Sequence, residues 1–106
     1  MSVNEEFTNK NFGDALKDLK DNKCWSYTQI SIKTGLSAPY INDLVNKKKL
    51  PPTDENIKKI ANAFGLSPEY FFEYRLRRFT EYLNQDRNYL EELYSKIKSK
   101  KKPKTA

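Results

Sequence analysis

Apolar residues recur at three- and four-residue intervals along most of the chain, which is the spacing of one face of an α-helix. The first such segment covers Phe12–Asp21 and places Phe12, Leu16 and Leu19 on one side. Similar spacing predicts helices over 27–34 and 38–46. Because no alternating pattern typical of a strand competes with these segments, the sequence predicts an all-α protein.

The segment from Ser26 to Leu44 contains start and stop residues for two short helices. Ser26 can cap the first helix, and Gln29 can complete a capping box three residues later. Gly35 can end that helix in the left-handed conformation, and Ser37 can cap the next one. The residues expected to share one core are Ile30, Leu36, Ile41 and Leu44. This arrangement is typical of a helix-turn-helix, whose second helix is presented at the surface.

Further helices are predicted towards the C-terminus. Thr53 can cap a fourth helix that ends before Gly65. A proline after Ser67 favours a helix start there, and this helix is expected to reach about Leu83 with a break near residues 72–74. Asp86 can cap a last helix, which is expected to end near residue 98.

The chain resembles the phage-repressor or Cro-type regulators, also called the xenobiotic-response-element family. The resemblance covers roughly residues 12–72 and rests on the following residues: Ser31, Gly35-Leu36-Ser37, Tyr40-Ile41, Leu44, Pro51-Pro52-Thr53 and the run from Ile60 to Phe71. It implies a five-helix, lambda-repressor-like DNA-binding domain with a C-terminal helical extension. One departure is Lys47, which stands where a glycine often ends the second helix of the motif.

These observations predict four parts. Residues 1–10 are expected to be a flexible N-terminus and residues 11–72 the helix-turn-helix domain. Residues 73–98 are expected to form C-terminal helices that mediate dimerisation. Residues 99–106 are expected to be a disordered, lysine-rich tail.

The resemblance implies that Ala38, Pro39 and Asn42 face the bases, because the second helix of such a motif lies in the major groove. An asparagine can form two hydrogen bonds with adenine, whereas alanine and proline make only apolar contacts. Hydroxyl groups, lysines and the backbone N–H groups at helix starts can bind phosphates. The predicted DNA-binding residues are Tyr27, Thr28, Ser37, Ala38, Pro39, Tyr40, Asn42, Lys47 and Lys48.

Alternatives remain open for several of these residues. Ala38 and Pro39 could merely shape the start of the helix. Tyr40 could pack half-buried beside Ile41 instead of binding phosphate. Lys47 and Lys48 could belong to a solvated loop.

The distribution of charge agrees with a polyanionic partner. The net charge of the chain is +6, and six lysines with no acidic residue lie within residues 96–104. Residues 23–50 hold five basic residues and one acidic residue, whereas residues 51–95 hold six basic and eight acidic ones. The helix-turn-helix and the tail are therefore the parts that would attract DNA.

Apolar residues continue at helical spacing beyond residue 71. They exceed what one helix pair can hide against a small bundle, so a dimer interface is predicted, with an intramolecular core as the alternative. The predicted interface residues are Phe72, Leu76, Phe79, Leu83, Leu90 and Leu93. Arg75, Arg77 and Arg78 are expected to form surface ion pairs with acids such as Glu73 and Glu81.

Enzyme chemistry is not predicted. The chain has no histidine, a single cysteine and three isolated glycines, which leave no imidazole base, zinc site or phosphate-binding loop. No cofactor or metal is expected, and Cys24 is expected to fill space beside Trp25. With no apolar run long enough for a membrane span and no secretory leader, the protein is expected in the cytoplasm, associated with the nucleoid.

The sequence therefore predicts a sequence-specific regulator of transcription, with repression as its expected effect, that binds double-stranded DNA as a homodimer. A regulatory protein is a further candidate partner. Two alternatives are an antitoxin or other protein-interaction module, and a nucleoid-associated protein with little sequence preference.

Overall fold

The structure, a computed structural model, describes residues 7–101. The predictions for the N-terminus and the tail fall in part on residues 1–6 and 102–106, which lie outside the described residues. No strand occurs within residues 7–101. The elements, in chain order, are α1 (Phe12–Lys23), α2 (Tyr27–Thr34), α3 (Ala38–Val45), α4 (Asp54–Ala63), a short 3-10 helix (Pro68–Tyr70), α5 (Phe72–Gln85) and α6 (Arg87–Lys100).

The helices begin where the predicted capping residues lie. The side chains of Ser26, Ser37 and Thr53 each accept a hydrogen bond from the backbone N–H three residues later. The capping box of Ser26 and Gln29 is formed in both directions. Such caps satisfy N–H groups that a helix leaves without an internal acceptor, and each contributes about 1 kcal/mol.

The helix expected to start at Ser67 is divided into two elements. Ser67 caps only the 3-10 helix, and Phe71 then adopts an extended conformation with ψ 133° before α5 begins. The break therefore lies just before the predicted one. It allows the Phe71 ring to turn into the core, where its centroid lies 4.6 Å from that of Phe12.

The core is formed by apolar side chains from α1 to Phe71. Ile30, Ile41 and Leu44 are buried as predicted, and Leu36 packs against them partly buried. The buried apolar residues are Phe12, Ala15, Leu16, Ile30, Ile41, Leu44, Val45, Ile57, Ile60, Ala61, Phe64 and Phe71. Burial of a large apolar side chain contributes about 1.5–3 kcal/mol. This cluster therefore stabilises the packing of the first four helices against one another.

The chain divides into two compact units, Met1–Arg75 and Leu76–Ala106, and the division falls within α5. The first unit contains the core and the helix-turn-helix. In the second unit, no described residue is buried. None of the helices within residues 7–101 has the length and apolar character needed to cross a membrane.

Within residues 7–101, Arg75 bonds to backbone carbonyls rather than to a carboxylate, contrary to the sequence prediction. Its guanidinium donates hydrogen bonds to the backbone carbonyls of Glu69, Tyr70 and Thr8 at 3.1–3.2 Å. The Thr8 N–H in turn donates to the Tyr70 carbonyl at 3.0 Å. Arg75 therefore holds the segment before α1 against the end of the 3-10 helix, where carbonyl groups lack helical donors.

Glu73 also differs from its prediction. One of its carboxylate oxygens accepts a hydrogen bond of 3.0 Å from the Phe12 N–H, at the start of α1. A negative charge is favourable there because the first turn of a helix exposes N–H groups. Sixty-one residues separate the two partners, so this contact depends on the fold rather than on local sequence.

The prediction that Cys24 fills space beside Trp25 is wrong, because Cys24 is exposed. Its backbone is left-handed, with φ 58°, and its N–H donates to the carbonyls of Lys20 and Asp21 at the end of α1. The residue therefore ends a helix at an exposed position. Trp25 performs the packing instead, with its ring 4.8 Å from that of Phe64.

Candidate nucleic-acid interface

The start of α2 presents backbone donors that have no acceptor within the helix itself. The capping box satisfies the N–H groups of Ser26 and Gln29 within the chain. Tyr27 and Thr28 occupy the first two helical positions, whose N–H groups have no acceptor inside an α-helix. These two donors, together with the exposed Thr28 hydroxyl, can bind a phosphate oxygen.

The turn between α2 and α3 is fixed by a side chain that the sequence pattern did not single out. The buried Thr34 hydroxyl donates to the Ile30 carbonyl at 2.8 Å, and its oxygen accepts from the Leu36 N–H at 3.1 Å. Gly35 follows the helix with φ 80°, a left-handed conformation that glycine adopts without steric cost. Together they set where α3 begins relative to α2.

The start of α3 differs chemically from that of α2. Ser37 is exposed, and its hydroxyl accepts from the Tyr40 N–H at 3.2 Å, so this oxygen serves the cap. Ala38 is half-buried and keeps a backbone N–H, whereas Pro39 is exposed and has none. Ala38 and Pro39 therefore offer an apolar surface with one backbone donor, while the hydroxyl hydrogens of Ser37 and Tyr40 can still be donated.

The two sides of α3 are clearly separated. Ile41, Leu44 and Val45 are at most 5% exposed and face the core. Pro39 and Asn42 are exposed on the opposite side. Two of the three residues predicted to face DNA bases therefore lie on the exposed side of α3, and the third, Ala38, is half-buried at its start.

Asn46 is a neighbour of Asn42 that sequence reasoning missed. Its side-chain amide donates to the Asn42 backbone carbonyl at 3.0 Å and also to the Asn42 side-chain oxygen. An amide oxygen has two lone pairs and an amide NH2 has two donors. Asn42 is therefore held in place and still retains the acceptor and donor that adenine requires.

Lys47 is held in place more firmly than a residue of a solvated loop would be. Its φ is 60°, so it occupies the left-handed backbone conformation that favours glycine. Its ammonium group lies 3.0 Å from the Asp14 carboxylate on α1. This pair fixes the lysine beside the end of α3, while Lys48 is exposed next to it and its N–H donates to the Asp43 carbonyl.

Tyr27 and Tyr40 are both half-buried and pack against the core. The Tyr40 position agrees with the alternative raised from sequence, although part of its side chain remains accessible. The Lys20 ammonium lies 4.6 Å from the centre of the Tyr27 ring. This contact adds a positive charge beside the start of α2 that the sequence spacing did not reveal.

Three groups with shifted pKa values lie on or just before α1. Hydrogen bonding to Asp18 raises the pKa of Lys10, and hydrogen bonding to Asp21 raises that of Lys17. The pKa of Asp21 is lowered, chiefly by its hydrogen bond to Lys17. All three groups are exposed, so these are surface ion pairs rather than a catalytic arrangement.

The predicted interface residues of α5 and α6 are all at least partly accessible. Phe72, Leu76 and Phe79 are 38–48% exposed. Leu83, Leu90 and Leu93 are half-buried. Within each helix these side chains repeat every three or four residues, which gives each helix one apolar side.

Comparison with known proteins agrees with the geometry. Residues 16–71, more than half of the chain, match the family model HTH_3, described as helix-turn-helix. A solved chain from the SinR protein/SinI protein complex is similar to this chain in fold, with a TM-score of 0.54 and 14% sequence identity. The alignment covers 86% of this chain and 99% of that chain. No curated protein sequence matches.

Proposed function

Because the chain belongs to the HTH_3 helix-turn-helix family and has an all-helical, lambda-repressor-like fold, both of which support a DNA-binding transcription regulator, we propose that it represses transcription as a homodimer on a specific operator. The observation that carries this proposal is the two-sided character of α3. Its apolar side is buried in the core, and Pro39 and Asn42 lie on its accessible side. A helix anchored in this way can enter a major groove.

Base recognition would combine two kinds of contact. Asn42 would pair with an adenine through its side-chain amide, and Ala38 and Pro39 would contact apolar base edges such as the thymine methyl group. The backbone donors at the start of α2, with Lys47 and Lys48 after α3, would bind phosphates on either side. Residues 23–50, which contain these groups, are the basic part of the domain, so their electrostatic field would draw DNA towards them.

Dimer formation would come from the apolar sides of α5 and α6. A twofold dimer would place two copies of α3 in successive major grooves, about 34 Å apart. Binding across both grooves would occlude the duplex, which is the physical basis for proposing repression. The proposed location is the cytoplasm, where the DNA of such a regulator lies.

Selection of bound sites from random DNA tests this function directly. A twofold-symmetric consensus is expected, and Asn42→Ala should relax the preference at one position in each half-site, at a cost of about 1–3 kcal/mol. Asn62→Ala, which removes an exposed asparagine from α4, is the matched control. Equal affinity for selected and random duplexes would instead favour the nucleoid-associated alternative.

The lysines after α3 can be tested through salt dependence. The double variant Lys47→Ala/Lys48→Ala should bind operator less tightly, and the slope of log affinity against log salt should become shallower by about 1 for each lost phosphate contact. Lys58→Ala/Lys59→Ala removes two exposed lysines from α4 and should preserve the slope. An unchanged slope in the first variant would exclude its lysines from the interface.

A protein-interaction module is the second candidate function, and the exposed apolar side chains of α5 and α6 favour it. Sedimentation of wild type and Leu76→Asp/Leu90→Asp separates the two. For a homodimer, wild type sediments as a dimer and the variant as a monomer. Asn84→Asp/Asn88→Asp adds the same charge at exposed positions off the apolar sides and should remain dimeric. A wild type that is monomeric at micromolar concentration would leave these surfaces to another protein.

A further inference from the structure

Helix α6 carries an apolar side whose partner can be identified from its charges. Leu90 and Leu93 are half-buried and Ile97 is 50% exposed, at spacings of three and four residues. These three side chains lie along one side of a helix that spans Arg87–Lys100. The midpoint of this apolar side falls between Leu93 and Tyr94, close to the middle of the helix.

The charges of α6 and its caps are divided along the helix axis. Residues 86–93 contain three acidic residues and one basic residue. Residues 94–101 contain four lysines and no acidic residue. The first half therefore carries a net charge of −2 and the second half +4. The helix dipole favours Asp86 at the N-cap and the lysines of the last turn, but its effect falls off within one turn of each end and does not account for Glu91 and Glu92.

Two copies of this helix can pair along their apolar sides in two directions. A parallel pair would bring the four lysines of one copy against the four of the other, at distances shorter than the Debye length of about 8–10 Å. An antiparallel pair would bring each acidic half against a basic half, twice in one dimer. The antiparallel pair would also set Leu90 opposite Ile97, with the twofold axis near Leu93.

We propose that α6 pairs with α6 of a second copy of this chain in the antiparallel direction. The proposal rests on the proposed homodimer and adds its orientation. Charge complementarity selects the second copy as the partner. In the antiparallel pair the two apolar sides meet, and each charged half lies beside a half of opposite charge.

Distances between spin labels test the orientation. Asn88 and Ser99 are exposed, carry no charge and lie outside the apolar side. The variants Asn88→Cys and Ser99→Cys, each in the full chain with Cys24→Ser, would be labelled singly and then mixed. In the antiparallel dimer, Asn88 and Ser99 of the two copies lie level, whereas two Ser99 labels are about 16 Å apart along the axis. The mixed pair should therefore give the shorter distance. Two Ser99 labels found level would overturn the orientation and leave the homodimer intact.

Salt and charge provide an independent measurement. Raising NaCl from about 50 to about 500 mM should weaken the antiparallel dimer and would strengthen a parallel one. Glu91→Gln/Glu92→Gln should raise the dimer dissociation constant about tenfold at low salt, and Glu55→Gln on α4 should not. A monomeric wild type overturns both the proposed homodimer and this inference. Equal dissociation constants for wild type and the double glutamine variant overturn the inference alone.

Discussion

The two units of this chain use the same kind of helix in different ways. In the first unit, α1 to α4 each bury apolar side chains in a shared core. In the second unit, amphipathic helical segments of similar length bury none of their described residues. A helix of about 14 residues is marginal in water without packing. The difference teaches that the first unit contains its own source of stability, whereas the second leaves its apolar side chains accessible.

Removing a core ring should show this difference most strongly. Phe71→Ala should lower the free energy of unfolding by about 3–5 kcal/mol, because the ring is fully buried and stacks on Phe12. Leu76→Ala, at a residue that is 48% exposed, should cost less than about 1 kcal/mol in the monomeric state. Denaturant titration measures both values. Similar losses for the two variants would contradict the contrast between the units.

A single added methyl group should show the same contrast with a smaller effect. A Cβ at Gly13 would lie 2.5 Å from the Leu44 carbonyl oxygen and 2.8 Å from Cγ of Lys47. Gly13→Ala should therefore destabilise the protein by about 1–3 kcal/mol, although alanine favours helices intrinsically. Ser95→Ala, at an exposed position of α6, should be neutral or slightly stabilising. Thermal melts of both variants measure these changes in stability. A Gly13→Ala protein as stable as wild type would show that α1 and α3 can move apart at little energetic cost.

Surface ion pairs should have the smallest effect and should not distinguish the units. Asp21 pairs with Lys17 at 2.9 Å in the first unit, and Glu81 pairs with Arg78 at 3.2 Å in the second. Because the folded-state pKa of Asp21 is lowered, its contribution is present above the ordinary aspartate pKa of about 3.9 and is lost as pH falls through the folded value. Asp21→Asn should therefore lose slightly less stability than wild type on acidification.

Glu81→Gln should be equally mild at neutral pH, since both carboxylates are exposed. Thermal melts between about pH 2 and pH 7 would measure both variants. A large loss of stability from either substitution would show that an ion pair, rather than the core, accounts for the difference in stability between the two units.

Local sequence determines much of the helix-turn-helix. The predicted bounds of α2 match the observed ones, and α3 ends one residue earlier than predicted. Both results follow from caps and from Gly35, whose effects act over three or four residues. The buried side of α3 was equally predictable, because helical periodicity separates Ile41 and Leu44 from Asn42.

The contacts that sequence reasoning missed join distant parts of the chain. Arg75 reaches Thr8 across 67 residues, and Glu73 reaches Phe12 across 61. Their neighbours along the chain gave no indication of these partners, so both were assigned to surface pairs. The Lys47–Asp14 pair was missed for the same reason, because it depends on how α1 crosses the end of α3.

Gly35 has a consequence for how the motif can change by mutation. A Cβ there would meet nothing within 4 Å, so only its φ of 80° restricts the residue. Asparagine tolerates that backbone best among the other residues, but no single-nucleotide change converts a glycine codon into an asparagine codon. Of the amino acids within one nucleotide change, aspartate tolerates this conformation best, and it would bring a negative charge next to the segment proposed to bind phosphates. The genetic code and the backbone thus together favour retention of glycine at the turn.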